Sequence, residues 1–320
     1  ASVLPYFRKL ERDLDFGGGE HGGDGASGLS RVAPDEWPGF SRGTAAAFAE
    51  LRFRNIADQN ADFADGWFPL GVSATRDQRV SAAMGYLTAD VRARANLTVR
   101  GDTQVDGLAV SGGRVAGVRA KGATIGAREV ILAAGALQSP AHLLRAGIGP
   151  ARQLRDAGID VLADRAGVGA NLQEHPAISL SAFLLPDARQ PHAMRRHVHV
   201  GLRYSSNAVG APPSDMYLVV VAKSAWHAIG RRVGSLMGWI NKPFSTGYVR
   251  LAPRNPAGPA EVAFELLSDP RDFARMKAGF RFMASLFDTA ALRAIARDPA
   301  VSTHGALAQL VGRKSLANRL

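Results

Sequence analysis

The residues best suited to chemistry are eight histidines and one stretch of small residues near the middle of the chain. A histidine titrates close to neutral pH and is the first candidate for a proton-abstracting base. His197 and His199 alternate on an expected strand, a spacing seen at metal sites, but no further ligands accompany them and no metal is expected. His175 reads as a hydrogen-bonded structural residue and His304 as a surface residue, so none of the histidines is expected to be catalytic. Residues 131–150 read ILAAGALQSPAHLLRAGIGP: an apolar run, a turn of small residues, then a helix start. Backbone N–H groups gather above such a turn, and alanine and glycine let an anion or a ring come close, which suits a dinucleotide. Small residues after a strand are also ordinary packing, and shape alone does not separate the two.

The elements that must position these residues are legible in outline. Residues 1–16 carry Leu4, Phe7, Leu10 and Leu14 at helical spacing, with Gly17 to end the helix. A second helix is expected over residues 44–60 from a Ser41 cap. Strand patterning follows at 97–99, 105–110 and 114–120, the last two joined by a Ser111-Gly112-Gly113 turn. Residues 129–135 form an unbroken apolar run of the kind buried on both faces of a parallel sheet. Ser139 is expected to cap a helix that begins at Pro140 and stops at Gly147, and a shorter helix over 151–157 stops at Gly158. Beyond Pro176 strands dominate, at 178–185, 198–204, 216–221, 247–251 and 262–266. A long amphipathic helix over 272–296, with Phe273, Met276, Phe280, Met283, Leu286 and Phe287 on one face, is expected to pack across them.

Composition narrows the partners. At 320 residues and 46% hydrophobic content the chain is long enough for one large core or two smaller ones. The formal charge of +11 invites a polyanion, yet the basic residues come as scattered doublets such as Arg195-Arg196 and Arg231-Arg232 without interleaved aromatics, so no nucleic-acid partner is expected. No stretch is long and apolar enough for a membrane span. The absence of cysteine removes disulfides, thiolate metal sites and a cysteine nucleophile, and fits a cytoplasmic location.

Six segments, in order, resemble the glucose-methanol-choline (GMC) oxidoreductases. They are Val3-Leu4-Pro5-Tyr6-Phe7 with Glu11; His21-Gly22 with Asp24-Gly25; residues 79–87 followed by 96–99; residues 131–150; residues 167–176; and residues 245–251 with 267–272. The resemblance implies an α/β fold in which residues 1–176 are part of an FAD-binding, Rossmann-like domain and 177–320 part of a sheet-containing substrate domain. It implies FAD as cofactor, a small-molecule alcohol oxidised at its CH–OH group by hydride transfer to flavin N5, and an electron acceptor that it does not specify. Carried over by position, Val105 matches a residue whose backbone recognises the adenine, and Ala133, Ala134 and Gly135 match the turn beside the ADP half. Ala146 stands where the family has serine. The family's pyrophosphate turn, Gly-x-Gly-x-x-Gly between strand and helix, is not matched, since Gly17 to Gly19 follow no expected strand and precede no helix. Nor is its catalytic His region. The chain is therefore expected to be an interior fragment inactive alone, the alternative being a non-enzymatic remnant.

Overall fold

The computed structural model describes residues 3–17, 21, 23, 25–75 and 78–302; His304 lies outside the described residues. The chain packs as two compact units that interleave along the sequence. One comprises Ala1–Leu97, Pro176–Lys242 and Phe273–Leu320, the other Thr98–His175 and Pro243–Asp272.

The first unit is built on a six-stranded sheet. Its strands are β3 (Gly66–Pro69), β10 (Ala177–Leu184), β11 (Val198–Tyr204), β12 (Met216–Val221), β13 (Val233–Ile240) and β16 (Ala296–Val301), in the order β16-β10-β13-β12-β11-β3, with every pair antiparallel. Strand β13, which pairs with both β10 and β12, is absent from the sequence expectation because glycines interrupt its apolar pattern. The reason lies in the packing: a Cβ on Gly234 would stand 2.7 Å from the Phe40 ring. Phe40 belongs to α2 (Gly39–Glu50), which with α7 (Pro270–Phe287) and α8 (Ala290–Arg293) contributes to the core. That core joins Phe40 and Phe48 to Leu180, Leu202, Leu218, Leu236, Met283 and Leu286. Fully burying side chains of this size contributes roughly 1.5–3 kcal/mol each.

Several expected boundaries shift for identifiable reasons. Helix α1 (Leu4–Leu10) stops early, because residues 11–13 become strand β1 (Glu11–Asp13), paired in parallel with β2 (Ser27–Ser30) beside β4 (Val72–Ser73). Leu14 therefore leaves the helical face and donates its N–H to Leu29. Helix α2 ends at Glu50, where Arg52 turns into positive φ and the following chain bonds across to Trp67. Ser41 lies inside α2, and its hydroxyl meets His199 rather than capping the helix. The helix expected over 272–296 breaks into α7 and α8, with the Thr289 hydroxyl accepting the Leu292 N–H, before β16 joins the sheet. Residues 97–99 form no strand; the short helices α3 (Ala82–Tyr86) and α4 (Ala89–Arg92) precede them. No helix among the described residues is long and apolar enough to cross a membrane.

The second unit holds the meander β5 (Val105–Ser111), β6 (Arg114–Ala120) and β7 (Ala123–Gly126), as expected except for the added third strand. It also contains α5 (Gly135–Arg145), α6 (Ala151–Asp156) and two small pairs, β8 (Ile148–Gly149) with β9 (Ala163–Asp164) and β14 (Tyr248–Arg250) with β15 (Glu261–Ala263). The largest correction lies here. Residues 129–135 are not a doubly buried strand: 129–134 make no strand ladder, and Ile131 is 83% exposed. A strand exists only where neighbours accept its hydrogen bonds, and the described residues offer this stretch none.

Candidate functional site: a cleft lined by the meander and helix α5

Helix α5 begins at Gly135, five residues before the expected Pro140 start. Ser139 still serves the helix end, but from within, its hydroxyl accepting the N–H of Ala134 at 3.1 Å. Residues 134, 138, 142 and 145 recur at helical spacing, so Ala134, Gln138, His142 and Arg145 share one face. That face forms one wall of a cleft of about 920 Å³. The opposing walls are Gln104, Val105 and Asp106 at the start of β5, Arg119 on β6, and the loop of Pro256, Ala257, Gly258 and Pro259. Arg145 pins that loop through its Nε to the Pro256 carbonyl at 3.3 Å and its Nη2 to the Gly258 carbonyl at 2.7 Å.

Val105 and Ala134 thus line one cavity, although 29 positions separate them in sequence. Ala133 and Gly135 flank Ala134, exposed, but are not among the residues lining the cleft. Gly135 has φ +82°, and a Cβ there would meet nothing within 4 Å, so the backbone stands open to an approaching group. The His142 Nδ1 is buried without a hydrogen-bond partner in the protein. A buried polar atom left unsatisfied costs about 1–3 kcal/mol, so it is a natural contact for a ligand. Among the described residues the cleft holds no nucleophile poised against a base. Its chemistry is that of binding: an elongated polar ligand held by guanidinium, amide and imidazole groups against small and prolyl side chains. An FAD dinucleotide fits this donor set.

Three of the resembling segments also converge in this unit. Leu172 and Gly247 exchange backbone hydrogen bonds at 3.0 and 2.6 Å. The Asp272 carboxylate accepts the N–H groups of Phe244 and Ser245 and the Ser245 hydroxyl, the last at 2.6 Å. Among the described residues His142 is the histidine that lines the cleft. His175 is exposed. His199 is buried on β11 with its Nδ1 3.1 Å from the Ser41 hydroxyl, and burial pushes its pKa down to about 4, so it is a neutral structural residue above that pH. The polar face of α5 was missed because the helix was expected to begin only at Pro140, and the loop at 256–259 carried no signal linking it to Val105.

GMC oxidoreductase family profiles match residues 3–177 and 243–316. The chain belongs to this family. It is 44% identical over 294 residues to a 5-(hydroxymethyl)furfural oxidase from Methylovorus sp. (strain MP688), covering 89% of this chain and 54% of that protein. To an oxygen-dependent choline dehydrogenase from Paraburkholderia xenovorans (strain LB400) it is 27% identical over 329 residues, covering 90% of this chain and 56% of that protein. Among solved structures, pyridoxine 4-oxidase from Mesorbium loti superposes with a TM-score of 0.80 at 25% identity, covering 96% of this chain and 62% of that one. The chain thus spans between about half and two thirds of the length of these GMC relatives. The mixed α/β architecture is that of the GMC oxidoreductases, and FAD is the family's cofactor.

Proposed function

We propose that this chain serves an FAD-dependent GMC oxidoreductase that oxidises the CH–OH group of a small alcohol, and that the cleft contacts the ADP half of the cofactor. The observation that carries this reading is the meeting of Val105 and Ala134 in one cavity, beside the open backbone of Gly135 and the unsatisfied His142 Nδ1. Bound FAD supplies the hydride acceptor at flavin N5. The chain's own part is positional. Val105 presents backbone to the adenine. Ala133, Ala134 and Gly135 leave room at the N-terminal end of α5, where unpaired amides favour phosphate. The division of labour expected at residue 176 becomes one between units, with cofactor contacts in the second and substrate-side surface on the sheet of the first. No described residue is assigned as the catalytic base, and the isolated chain is expected to bind cofactor weakly without turnover. The 44% identity to a 5-(hydroxymethyl)furfural oxidase makes a primary alcohol on a flat ring the first substrate to test.

Two measurements test the reading. Calorimetric titration of the chain with FAD, and with ADP in competition, is expected to show saturable binding that Gly135→Leu weakens by at least about tenfold, or roughly 1.4 kcal/mol. Binding indifferent to that substitution would remove the cofactor contact. A chimera in which this chain replaces the matched stretch of the Methylovorus enzyme should retain flavin and be reduced anaerobically by a furan alcohol. A chimera that keeps its flavin but is reduced by no alcohol would sink the activity.

A further inference from the structure

The first unit holds a charged cluster that the cofactor reading does not use. Glu11 and Asp13 lie on β1, His21 on the connection to β2, Arg31 just after β2, and Asp58 on the chain beyond α2. Little of it meets water: the His21 side chain is 6% exposed, Arg31 5%, and Asp13 is fully covered. The Phe16 ring stacks on the His21 imidazole with centroids 6.1 Å apart.

Each ring nitrogen of His21 meets a carboxylate. Nδ1 donates to Glu11 Oε1 at 2.5 Å, and Nε2 donates to Asp58 Oδ2. The other oxygens of those carboxylates are also engaged. Asn60 Nδ2 donates to Glu11 Oε2 at 3.1 Å, while Arg31 Nη2 and the Asn60 N–H donate to Asp58 Oδ1 at 3.1 and 3.0 Å. An ionised carboxylate only accepts, so both ring nitrogens carry hydrogen and His21 is an imidazolium. The charges around it favour that state. Asp13 stands 3.7 Å from Nδ1, Arg31 bonds Asp13 at 2.9 Å and Asp15 through its backbone N–H at 2.6 Å, and Arg8 of α1 lines the neighbouring cavity. Four carboxylates thus share the Arg31 guanidinium, and a second cation among them is stabilised. Burial lowers the His21 pKa, but the hydrogen bonds to Glu11 and Asp58 and the charges of Asp58 and Asp13 outweigh it, so the net shift is upward.

We propose that His21 is a pH-sensitive tie, joining β1 to the chain beyond α2 while protonated and releasing one of them when it loses its proton. A neutral imidazole donates through one nitrogen alone. Whichever tautomer forms, the other nitrogen turns a lone pair on a carboxylate oxygen at hydrogen-bond distance, and that contact must part. The cavity of about 370 Å³ that Glu11, His21 and Asn60 line together with Leu4, Phe7 and Phe63 gives the freed carboxylate room to hydrate. Because the folded pKa is raised, the tie contributes fully below the unfolded value of about 6.5 and is lost as pH rises through the folded value. The first unit is therefore fastened at this point in mildly acidic solution and loosened in alkaline solution.

The test follows the whole chain by hydrogen exchange with mass spectrometry and by thermal unfolding, across about pH 5–9. After correction for the intrinsic base-catalysed rate, amides of residues 11–14 and 56–62 should lose about tenfold in protection from the acid to the alkaline end, the size of one charge-assisted hydrogen bond. Those of β12 and β13 should hold theirs. His21→Gln should lower the Tm below about pH 6.5 and approach the parent's Tm at the alkaline end. Asp58→Asn, which keeps an acceptor but removes its charge, should move the loss of protection to lower pH. A Tm difference between parent and His21→Gln that is constant across the range would overturn the tie. Protection at residues 11–14 and 56–62 that stays level with pH in the unaltered chain would overturn it without any variant having to fold.

Discussion

The two units hold themselves together by different means. In the first, α2, α7 and the six-stranded sheet share one continuous apolar core from Trp37 to Ala296. In the second, the fully packed centre is Leu144, Leu154 and Leu251, and much of the order comes from backbone meeting backbone. Gly169 shows this: its carbonyl accepts the Val249 N–H at 2.7 Å, and a Cβ on it would lie 2.1 Å from the Val249 carbonyl oxygen. Apolar cores tolerate changes that preserve volume, whereas close backbone contacts tolerate none that add an atom. The cleft lined by Val105 and Ala134 sits in the unit of the second kind, where small residues leave surface open to a ligand.

The largest expected effect breaks the comparison on the apolar side. Phe40→Ala removes a fully buried ring packed on Gly234 and should cost about 3–5 kcal/mol, read as a lowered urea midpoint. A loss below about 1 kcal/mol would show that this core is not what secures the first unit.

Next comes the buried pair of Asp215 and Arg275, 2.7 Å apart and almost wholly covered. Asp215→Ala should cost about 3–5 kcal/mol by leaving a buried cation without this carboxylate. Burial raises the Asp215 pKa, but the Ser206 N–H and hydroxyl and the Arg275 guanidinium outweigh it, so the net shift is downward. A depressed carboxylate stabilises fully above its unfolded value and loses that contribution as pH falls through the folded value. The difference between parent and Asp215→Asn should therefore be constant near neutrality and shrink below about pH 4. A difference that grew on acidification would contradict the assignment.

The smallest expected effect sharpens the other side. Gly169→Ala places a side chain at φ +78° against the Val249 carbonyl and should cost about 1–3 kcal/mol. Hydrogen exchange should locate the loss in the second unit, at Val249 and its neighbours. Exchange that accelerated only in the six-stranded sheet would mean that the contrast between the units is misplaced.

Amino-acid order by itself determined the elements whose stabilising contacts are local or periodic. The β5–β6 hairpin follows from alternation around Ser111-Gly112-Gly113. The ends of α5 and α6 follow from Gly147 and Gly158, which take up positive φ after each helix. Strands β10, β11 and β12 carry their own apolar patterns. The family was legible too, because six ordered segments carried it. Tertiary structure decided what depends on a neighbour. Residues 129–134 have the composition of a buried strand but find no partner among the described residues, and Gly234 hides β13 because Phe40 takes the place of its side chain. Val105 meets Ala134 only because the meander and α5 line the same cleft. Glu11 and Asp13, His21, and Asp58 lie apart in sequence, and only the pairing of β1 with β2 and the path of the chain beyond α2 bring them into one hydrogen-bonded, ion-paired cluster, because each charge needs a neighbour of opposite sign once it leaves water.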